Sequence, residues 1–258
     1  MRVARDDLGN EVPVAGPVRR VVSLVPSLTE TVAACDVTML AGITRWCSHP
    51  AGLAVPRLGG TKNPDVPGII ALAPDLVLAN DEENRDSDLA ALHTAGVPVW
   101  VTRIRSLPDA LASLHRMITV ACGLPRPGWL DAAEQAWRDA GRDRAERLAI
   151  VPIWRRPWMV LGRDTFAGDL LARLGVGNVF AAHEQRYPKI ALADLQRSGA
   201  DLVVLPDEPY RFTADDGPEA FPGMPAALVS GRHLTWYGPS LAQAPDVLSG
   251  QLGAGIVE

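Results

Sequence analysis

The chain has 258 residues, of which 47% are hydrophobic and 21% charged, and its formal net charge is -5. These values are typical of a folded globular protein and exclude wholesale disorder. No apolar run approaches the roughly 18 residues that a membrane-spanning helix needs. The lack of a basic surplus argues against nucleic acid as a partner. The three cysteines form no CxxC motif, which predicts free or buried thiols instead of zinc ligands or disulfides: Cys35, Cys47 and Cys122.

The amino-terminal segment does not have the pattern of a secretory signal. Residues 1–16 place Asp6, Asp7 and Glu11 where the apolar stretch of such a signal would stand. The sequence as written therefore predicts no export signal and a cytoplasmic location. A processed chain or a different start codon would give the same sequence.

Strand and helix signals alternate in the first half of the chain. Three β-rich runs predict strands at 21–25, 75–79 and 97–101. Between and after them, the spacing predicts helices at 27–34, 67–72 and 88–94. Strands separated by helices indicate parallel βαβ units, so we expect an α/β fold.

A helical stretch without strand signals follows. Residues 107–122 carry apolar side chains at helical spacing, and residues 131–148 are rich in Ala, Glu, Arg and Gln, which favour helix. We expect the second of these segments to form one helix of about five turns.

The second half of the chain repeats the pattern of the first. A predicted strand at 158–162 with the helix at 168–174 matches residues 21–34, residues 195–205 match 69–78, and residues 226–229 match 97–101. This internal duplication predicts two similar α/β lobes with a ligand cleft between them. The expected division is an N-terminal lobe at 1–124, a bridging helix at 125–148 and a C-terminal lobe at 149–258.

The segment Ser27-Leu28-Thr29-Glu30 fits the S-x-x-E pattern of a capping box. Plain capping explains the pattern. A ligand contact at the helix N-terminus is the alternative, because the helix would begin at the carboxyl edge of a strand, where α/β sheets bind ligands.

Aromatic residues concentrate in the second half, where ten of the fourteen follow residue 150. Several stand beside Pro or Gly in predicted loops, which favours a stacking wall for a large, flat ligand over a strand core. Packing within the lobe is the alternative for about half of them.

No motif indicates catalysis. The five histidines form no HExxH or HxH pattern, and the chain contains no GxSxG, Walker or GxGxxG segment. We therefore predict no enzyme activity, no catalytic residue and no bound metal of the protein's own.

Acidic clusters occupy equivalent places in the two halves. One contains Asp81, Glu82, Glu83, Asp86 and Asp88, and the other contains Asp207, Glu208, Asp215 and Asp216. Each cluster, taken by itself, is explained by a position on the solvated surface. The duplication adds the alternative that one acidic knob per lobe docks onto basic sockets of a two-fold partner.

Four segments resemble the substrate-binding proteins for cobalamin and ferric siderophores of ABC importers, the helical-backbone metal receptors or class III periplasmic binding proteins. They are RVVSLVPSLTE at 20–30, GGTKNP at 59–64, IALAPDLVLA at 70–79 and LTWYG at 234–238. The likeness runs from about residue 18 to residue 249. The cobalamin-binding branch is the most similar, through PSLTE at 26–30 and WCSHP at 46–50.

The resemblance implies two Rossmann-like α/β lobes with parallel sheets, bridged by one long rigid helix at 126–148, and a ligand cleft between the lobes. It also implies a non-catalytic, monomeric protein that delivers its ligand to an ABC permease dimer outside the cytoplasm. In that family a glutamate on each lobe meets arginines of the permease. Those roles would fall on Glu82, Glu83, Asp86, Asp207 and Glu208.

A cobalamin or a ferric chelate is the implied ligand. Aromatic residues line the cleft in the cobalamin branch, and the positions that match are Trp46, Trp158 and Trp236. Loop placement and the capping segment add Ser27, Thr29, Lys62, Trp100, Trp154, Arg155, Tyr187 and Phe212.

Two alternatives to a corrinoid remain. An anionic ferric chelate would prefer convergent arginines, which Arg155, Arg156 and Arg163 offer. The missing export signal favours a cytoplasmic relative that buffers, senses or escorts a corrinoid, or that has a regulatory role.

Overall fold

A computed structural model describes residues 2–14, 16–140, 147–254 and 256–257. The chain forms two compact units. Unit 1 comprises Met1–Ile104, Asp109–Asp131 and Tyr237–Pro239, and unit 2 comprises Arg105–Pro108, Ala132–Trp236 and Ser240–Glu258. The fold is α/β with parallel sheets, as the sequence predicts.

Unit 1 contains a parallel four-stranded sheet with the strand order β4-β3-β5-β6, beside an antiparallel hairpin of β1 and β2. The strands are β1 (Arg2–Arg5), β2 (Glu11–Val14), β3 (Val21–Ser23), β4 (Leu40–Ile43), β5 (Leu76–Asn80) and β6 (Val99–Thr102). Both faces of β5 and β6 are buried, which explains their continuous apolar runs. The predicted strands at 21–25, 75–79 and 97–101 are confirmed, with small shifts at their ends.

The helices of the first half lie where the sequence places them. They are α1 (Pro26–Asp36), α2 (Val66–Ala71), α3 (Asp86–Thr94) and α4 (Leu107–Arg116), which continues as a π-helical turn at Met117–Ala121. The prediction of a capping box at Ser27 is wrong, however. Pro26 takes the first helical position and Val25 is the N-cap without a side-chain cap bond, so Ser27 lies inside the helix and not at its cap.

The long helix after α4 is shorter than predicted. It is α5 (Gly128–Asp139), and Arg147 and Leu148 already belong to the next strand. Residues 141–146 of the predicted helix lie outside the described part of the chain. The boundary between the two units falls within α5, after Asp131. The role of this helix as a rigid bridge and the three-part division of the chain stay predictions.

Unit 2 contains a second sheet of five strands with the order β10-β7-β11-β12-β13 and a two-stranded hairpin of β8 and β9. The strands are β7 (Arg147–Ile150), β8 (Pro152–Arg155), β9 (Trp158–Val160), β10 (Val176–Asn178), β11 (Leu202–Pro206), β12 (Ala226–Val229) and β13 (Ile256–Val257). The helices are α6 (Phe166–Arg173), α7 (Leu192–Gln196), α8 (Gly231–Thr235) and α9 (Ala244–Ala254).

The strand orders confirm the internal duplication and correct its register. The parallel order β10-β7-β11-β12 repeats β4-β3-β5-β6. The strand that answers to β3 is β7, which pairs in parallel with β10 and β11. The predicted match of 158–162 with 21–25 is wrong, because β9 pairs antiparallel with β8 in a separate hairpin. The chain inserts this hairpin between β7 and α6.

Each unit has its own apolar core against its parallel sheet. In unit 1 the core includes Val22, Val77 and Val99 from three neighbouring strands. In unit 2 it includes Ile150, Val203 and Ala226, together with the rings of Phe212 and Phe221. The cysteines are free thiols, as predicted.

Candidate functional site

The loop after β4 holds the most exposed tryptophan of the described chain. Arg57 Nη1 donates to the carbonyls of Thr44 at 3.2 Å and Cys47 at 2.7 Å, and this ties the two ends of the turn together. Trp46 stands between them with 62% of its surface exposed. The loop follows the carboxyl end of a parallel strand, which is where such sheets bind ligands.

Thr29 of α1 contacts this loop, and Ser27 lies in the same helix. Both side chains are buried. Thr29 Oγ1 donates to the carbonyl of Val25 at 3.2 Å and lies 3.0 Å from the Sγ of Cys47, so α1 and the Trp46 loop are joined. Thr29 therefore supports the loop, and neither residue is exposed to solvent.

Trp100 belongs to the core of unit 1. The ring is fully buried in β6, and the Arg116 guanidinium lies 5.4 Å from its centroid. A solute from solvent cannot reach this ring in the structure. Loop placement assigns Trp100 to the ligand site, but this residue lies within the predicted strand at 97–101, and β6 runs through it.

The first acidic cluster follows β5 at the carboxyl edge of the same sheet. Asn80 Oδ1 accepts from the backbone amides of Glu82 at 2.9 Å and Glu83 at 3.3 Å, which fixes the turn. Lys62 Nζ donates to the carbonyl of Glu82. Burial raises the pKa of the Glu83 carboxyl, and the charge of Lys62 lowers it in part. Asp86 is exposed at the start of α3.

The second acidic cluster follows β11, which holds the same place in its sheet as β5 holds in the first. Asp207 Oδ1 accepts from the amide of Gly231 at 2.6 Å. Glu208 Oε2 accepts from the indole N–H of Trp236 at 2.9 Å, and Trp236 is buried. The equivalence of the two acidic clusters, predicted from sequence, thus holds in the topology.

Three of the five predicted aromatic contacts of unit 2 form one cluster with Tyr210, and these three are Trp154, Trp158 and Phe212. Trp158 stacks on Phe212 with 6.1 Å between the ring centroids and an interplanar angle of 7°. Tyr210 lies 4.7 Å from Phe212 and 5.6 Å from Trp154, again between centroids. Phe212 is buried and Trp158 is half-buried, whereas 43% of Trp154 is exposed. Packing within the unit thus accounts for Phe212 and Trp158, and Trp154 is the member of the cluster that is exposed at the surface.

Arg155 covers one end of this cluster. Its guanidinium lies 5.5 Å from the centroid of Trp158 and forms ion pairs with Asp216 and Glu219. At Glu219, desolvation would raise the carboxyl pKa, but the hydrogen bonds from the Gly217 amide and Arg155 outweigh it and lower the pKa. Because two carboxylates already pair with the Arg155 guanidinium, Arg155 is a weaker candidate for contact with an anionic ligand.

Unit 2 also contains an open pocket of about 710 Å³ that sequence reasoning found only in part. Its cationic lining residues are Arg105, Arg163 and Arg186. Of these three, the sequence offers only Arg163 as a contact for an anionic ligand, because the arginines come from separate segments and share no motif. Tyr187 lies next to the pocket, with the Arg186 guanidinium 5.4 Å from its ring centroid.

Metal and membrane features were tested over the described residues. Within 2–14, 16–140, 147–254 and 256–257, no group of three or more His, Cys, Asp and Glu side chains is placed to hold a metal ion. In the same part of the chain, every helix is too short or too polar to cross a bilayer.

Comparisons with known proteins agree with this architecture. The family model for the periplasmic binding protein matches residues 21–221. A vitamin B12-binding protein of Pectobacterium carotovorum subsp. carotovorum (strain PC1) is 22% identical over 253 residues, which cover 92% of this chain and 89% of that protein.

Solved structures show the same fold at low identity. The periplasmic vitamin B12 binding protein BtuF of Vibrio cholerae superposes with a TM-score of 0.73 and 16% identity, over 92% of this chain and 97% of that one. The periplasmic heme-binding protein RhuT from Roseiflexus sp. RS-1 gives a TM-score of 0.74 and 21% identity, over 90% and 97%. The match of the family model over most of the sequence shows that the chain belongs to the periplasmic binding protein family.

Proposed function

We propose that the protein is a non-catalytic solute-binding protein that holds a corrinoid or a related metal chelate and delivers it to an ABC importer. Trp46 carries the proposal. An indole with 62% of its surface exposed stands on a loop that Arg57 fixes at both ends. Such a ring offers a rigid apolar face, and the broad ring system of a corrinoid has a matching one.

The surface of unit 2 offers a second aromatic face. Trp154 is exposed, and Tyr210, Phe212 and Trp158 support it from behind. Aromatic side chains supply large contact areas at a low entropic cost when their neighbours fix them in place. We propose Trp46, Lys62, Trp154 and Tyr187 as direct ligand contacts. The ligand cleft between two lobes stays a prediction from the sequence.

The two acidic clusters are the proposed contacts to the permease. Glu82, Glu83 and Asp86 follow β5, and Asp207 and Glu208 follow the topologically equivalent β11. Charge complementarity between protein surfaces sets the rate and the specificity of association. Reversal of charge in Glu82→Lys and Asp207→Lys should abolish capture by a cognate permease, while Asp194→Lys on α7 serves as the matched control. Equal capture of all three variants would remove this role.

The comparisons support the ligand class through what the relatives bind. The named relatives are vitamin B12-binding and heme-binding proteins, and both ligands are flat metal chelates. The alternative ligands are therefore a haem-type or ferric-siderophore chelate. A cytoplasmic relative without a transporter is the alternative setting, but the periplasmic family favours an extracytoplasmic one.

A ligand panel tests the proposal. The protein is titrated with cyanocobalamin, haemin and a ferric hydroxamate siderophore, and tryptophan fluorescence is followed, with N-acetyltryptophanamide as the control for light absorption by the ligands. We expect saturable quenching by cyanocobalamin at micromolar concentration. Quenching by haemin or the siderophore alone would replace the corrinoid by that chelate. A response to none of the three, beyond that of the control, would refute the proposal.

A further inference from the structure

Two consecutive glycines, Gly59 and Gly60, begin the turn at 59–64, and the backbone conformation explains only the first of them. Gly59 has a φ angle of 73°, in the left-handed region that favours glycine. A Cβ there would also lie 2.5 Å from the carbonyl oxygen of Asn63. The φ angle of Gly60 lies outside the left-handed region, so its backbone would accept an alanine. The lack of a side chain at position 60 therefore needs another explanation.

The indole of Trp46 lies where a side chain at Gly60 would stand. A Cβ built on Gly60 would be 3.0 Å from Nε1 and 3.6 Å from Cδ1 of that ring. Non-bonded heavy atoms pack best at about 3.5–4.0 Å, so the ring would have to move. The same Cβ would be 2.8 Å from Asn63 Oδ1, but Asn63 is exposed and its side-chain amide can rotate away. The indole is thus the neighbour that an added side chain would displace.

The turn at 59–64 is itself held in place. Gly60 and Asn63 exchange two backbone hydrogen bonds, at 3.1 and 3.3 Å between nitrogen and oxygen. Asn84 Nδ2 donates to the carbonyl of Thr61 at 2.9 Å, which joins the turn to the segment after β5. Because these bonds fix the backbone of the turn, a side chain at Gly60 would move the exposed Trp46 ring and not the turn.

The backbone of the Trp46 loop is fixed to the same turn. The amide of Arg45 donates to the carbonyl of Gly59 at 2.8 Å, and Arg57 ties the two ends of the loop together. The side-chain torsions of Trp46 are therefore what remains free to relieve a clash at Gly60. A side chain at position 60 would thus change the direction in which the loop presents the indole.

We propose that Gly60 is a positioning residue for Trp46, because its missing side chain leaves the space in which the indole rests against the turn at 59–64. This inference rests on the proposed function, in which Trp46 contacts the ligand, and deepens it by naming the residue that fixes the place of that contact. A ring held in place before the ligand arrives loses little entropy on binding. Gly60 is buried and acts through the indole.

The indole N–H of Trp46 gives a readout that needs no ligand, since Nε1 is the ring atom nearest to the Gly60 position. The chain has 7 tryptophans, and NMR of a protein labelled with nitrogen-15 tryptophan shows one indole signal for each. Trp46→Phe identifies the Trp46 signal by its loss. We expect Gly60→Ala to shift this signal more than any other indole signal. The control Gly250→Ala should leave it in place, because Gly250 is exposed on α9 with open space around its Cβ position. An unchanged Trp46 signal in Gly60→Ala would overturn the inference.

Chelate affinity tests whether Gly60 acts through the indole. Cyanocobalamin and haemin are titrated by absorbance into the wild type, Gly60→Ala, Gly60→Val and Gly250→Ala. We expect the affinity to fall about threefold with alanine and about tenfold with valine at position 60, and to stay at the wild-type value in Gly250→Ala. In a chain that also carries Trp46→Ala, Gly60→Val should cause hardly any further loss, because the two residues act as one unit. An equal loss with and without the indole would overturn the inference.

The outcomes separate this inference from the proposed function. If the wild type binds neither chelate but Gly60→Ala shifts the Trp46 signal, the placement of Trp46 by Gly60 is supported while the proposed function fails. Chelate binding with wild-type affinity in Gly60→Val would overturn the inference and leave the proposed function standing. If Gly60→Ala does not fold, addition of Trp46→Ala should restore the circular dichroism of the folded protein, because it removes the ring that the new methyl group meets. Failure of that rescue would overturn the inference.

Discussion

Trp236 donates its indole N–H to the carboxylate of Glu208, with 2.9 Å between Nε1 and Oε2. The sequence assigns the two residues to different roles, Trp236 to the ligand and Glu208 to the permease. In the structure the tryptophan is buried and orients the acid. Trp236 is thus a residue that positions a proposed docking group.

Loss of this hydrogen bond should cost stability. Trp236→Phe keeps a ring but removes the N–H donor, and we expect the free energy of unfolding to fall by about 1–3 kcal/mol, because the bond is made to a charged acceptor. Urea denaturation measures the change. Trp154→Phe is the matched control, since the Trp154 N–H bonds to the carbonyl of Arg156 at the exposed surface. Equal losses in both variants would contradict the importance of the Glu208 contact.

Truncation of the exposed indoles should affect binding more than folding. Trp46→Ala and Trp154→Ala each remove an aromatic face, and we expect about a tenfold weaker chelate affinity from either change. Ile70→Ala on α2 is the control, because it also shortens an exposed apolar side chain. Titration by ligand absorbance measures the affinities. Wild-type affinity in both tryptophan variants would show that the proposed contacts are misplaced.

Trp100 should behave in the opposite way. Its ring is fully buried in β6, so Trp100→Ala leaves a large cavity and should lower the free energy of unfolding by about 3–5 kcal/mol. Trp46→Ala should change it by no more than about 0.5 kcal/mol, because exposed positions tolerate substitution. Urea denaturation of the two variants gives the comparison. A loss at Trp46 that matched the loss at Trp100 would mean that Trp46 is not the exposed side chain described.

Glu83 should make stability depend on pH. Burial raises the pKa of its carboxyl in the folded state, so the folded protein holds this proton more tightly than the unfolded chain does. Its contribution is therefore most favourable below the unfolded pKa and declines as the pH rises through the folded pKa. Glu83→Gln removes this half-buried charge and should gain stability over the wild type at pH 7, but not at pH 4.

Lys62 provides the second arm of the same test. Its charge lowers the pKa of Glu83, so Lys62→Met should raise that pKa further and make the variant less stable at pH 7 than at pH 4, relative to the wild type. Asp86→Asn is the control, because it also removes a negative charge. This carboxylate, however, is exposed and lies in the first turn of α3, where a negative charge is favourable. Urea denaturation at both pH values measures all three variants. A pH-independent effect of Glu83→Gln would contradict the role of the half-buried Glu83 charge.

The fold was predictable from sequence where a strand is buried on both faces. The runs at β5 and β11 are apolar throughout, and this signal fixed the parallel sheets and their duplication. The sequence prediction was wrong where two strands, β7 and β9, are both candidates for the counterpart of β3. Residues 158–162 give the stronger strand signal, but residues 147–150 form the strand that answers to β3. The pairing decides this, because β7 lies in parallel between β10 and β11, whereas β9 pairs antiparallel with β8.

The site was less predictable than the fold, because exposure depends on packing. The sequence names both Trp46 and Trp100 as ligand contacts, yet Trp46 is the most exposed tryptophan described and Trp100 is fully buried. The capping pattern at Ser27 failed because Pro26 begins the helix one residue earlier. Arg105 and Arg186 were not predictable as neighbours, because the pocket brings together segments about 80 residues apart and no local sequence pattern indicates that approach.

Native mass spectrometry of the protein purified from its own organism, with an absorption spectrum of the same sample, tests the central claim most directly. The account predicts a one-to-one complex whose added mass and visible bands are those of a corrinoid or a related metal chelate. A protein that carries no chelate, and that forms no complex after incubation with micromolar cyanocobalamin, haemin and ferric siderophore, would contradict it.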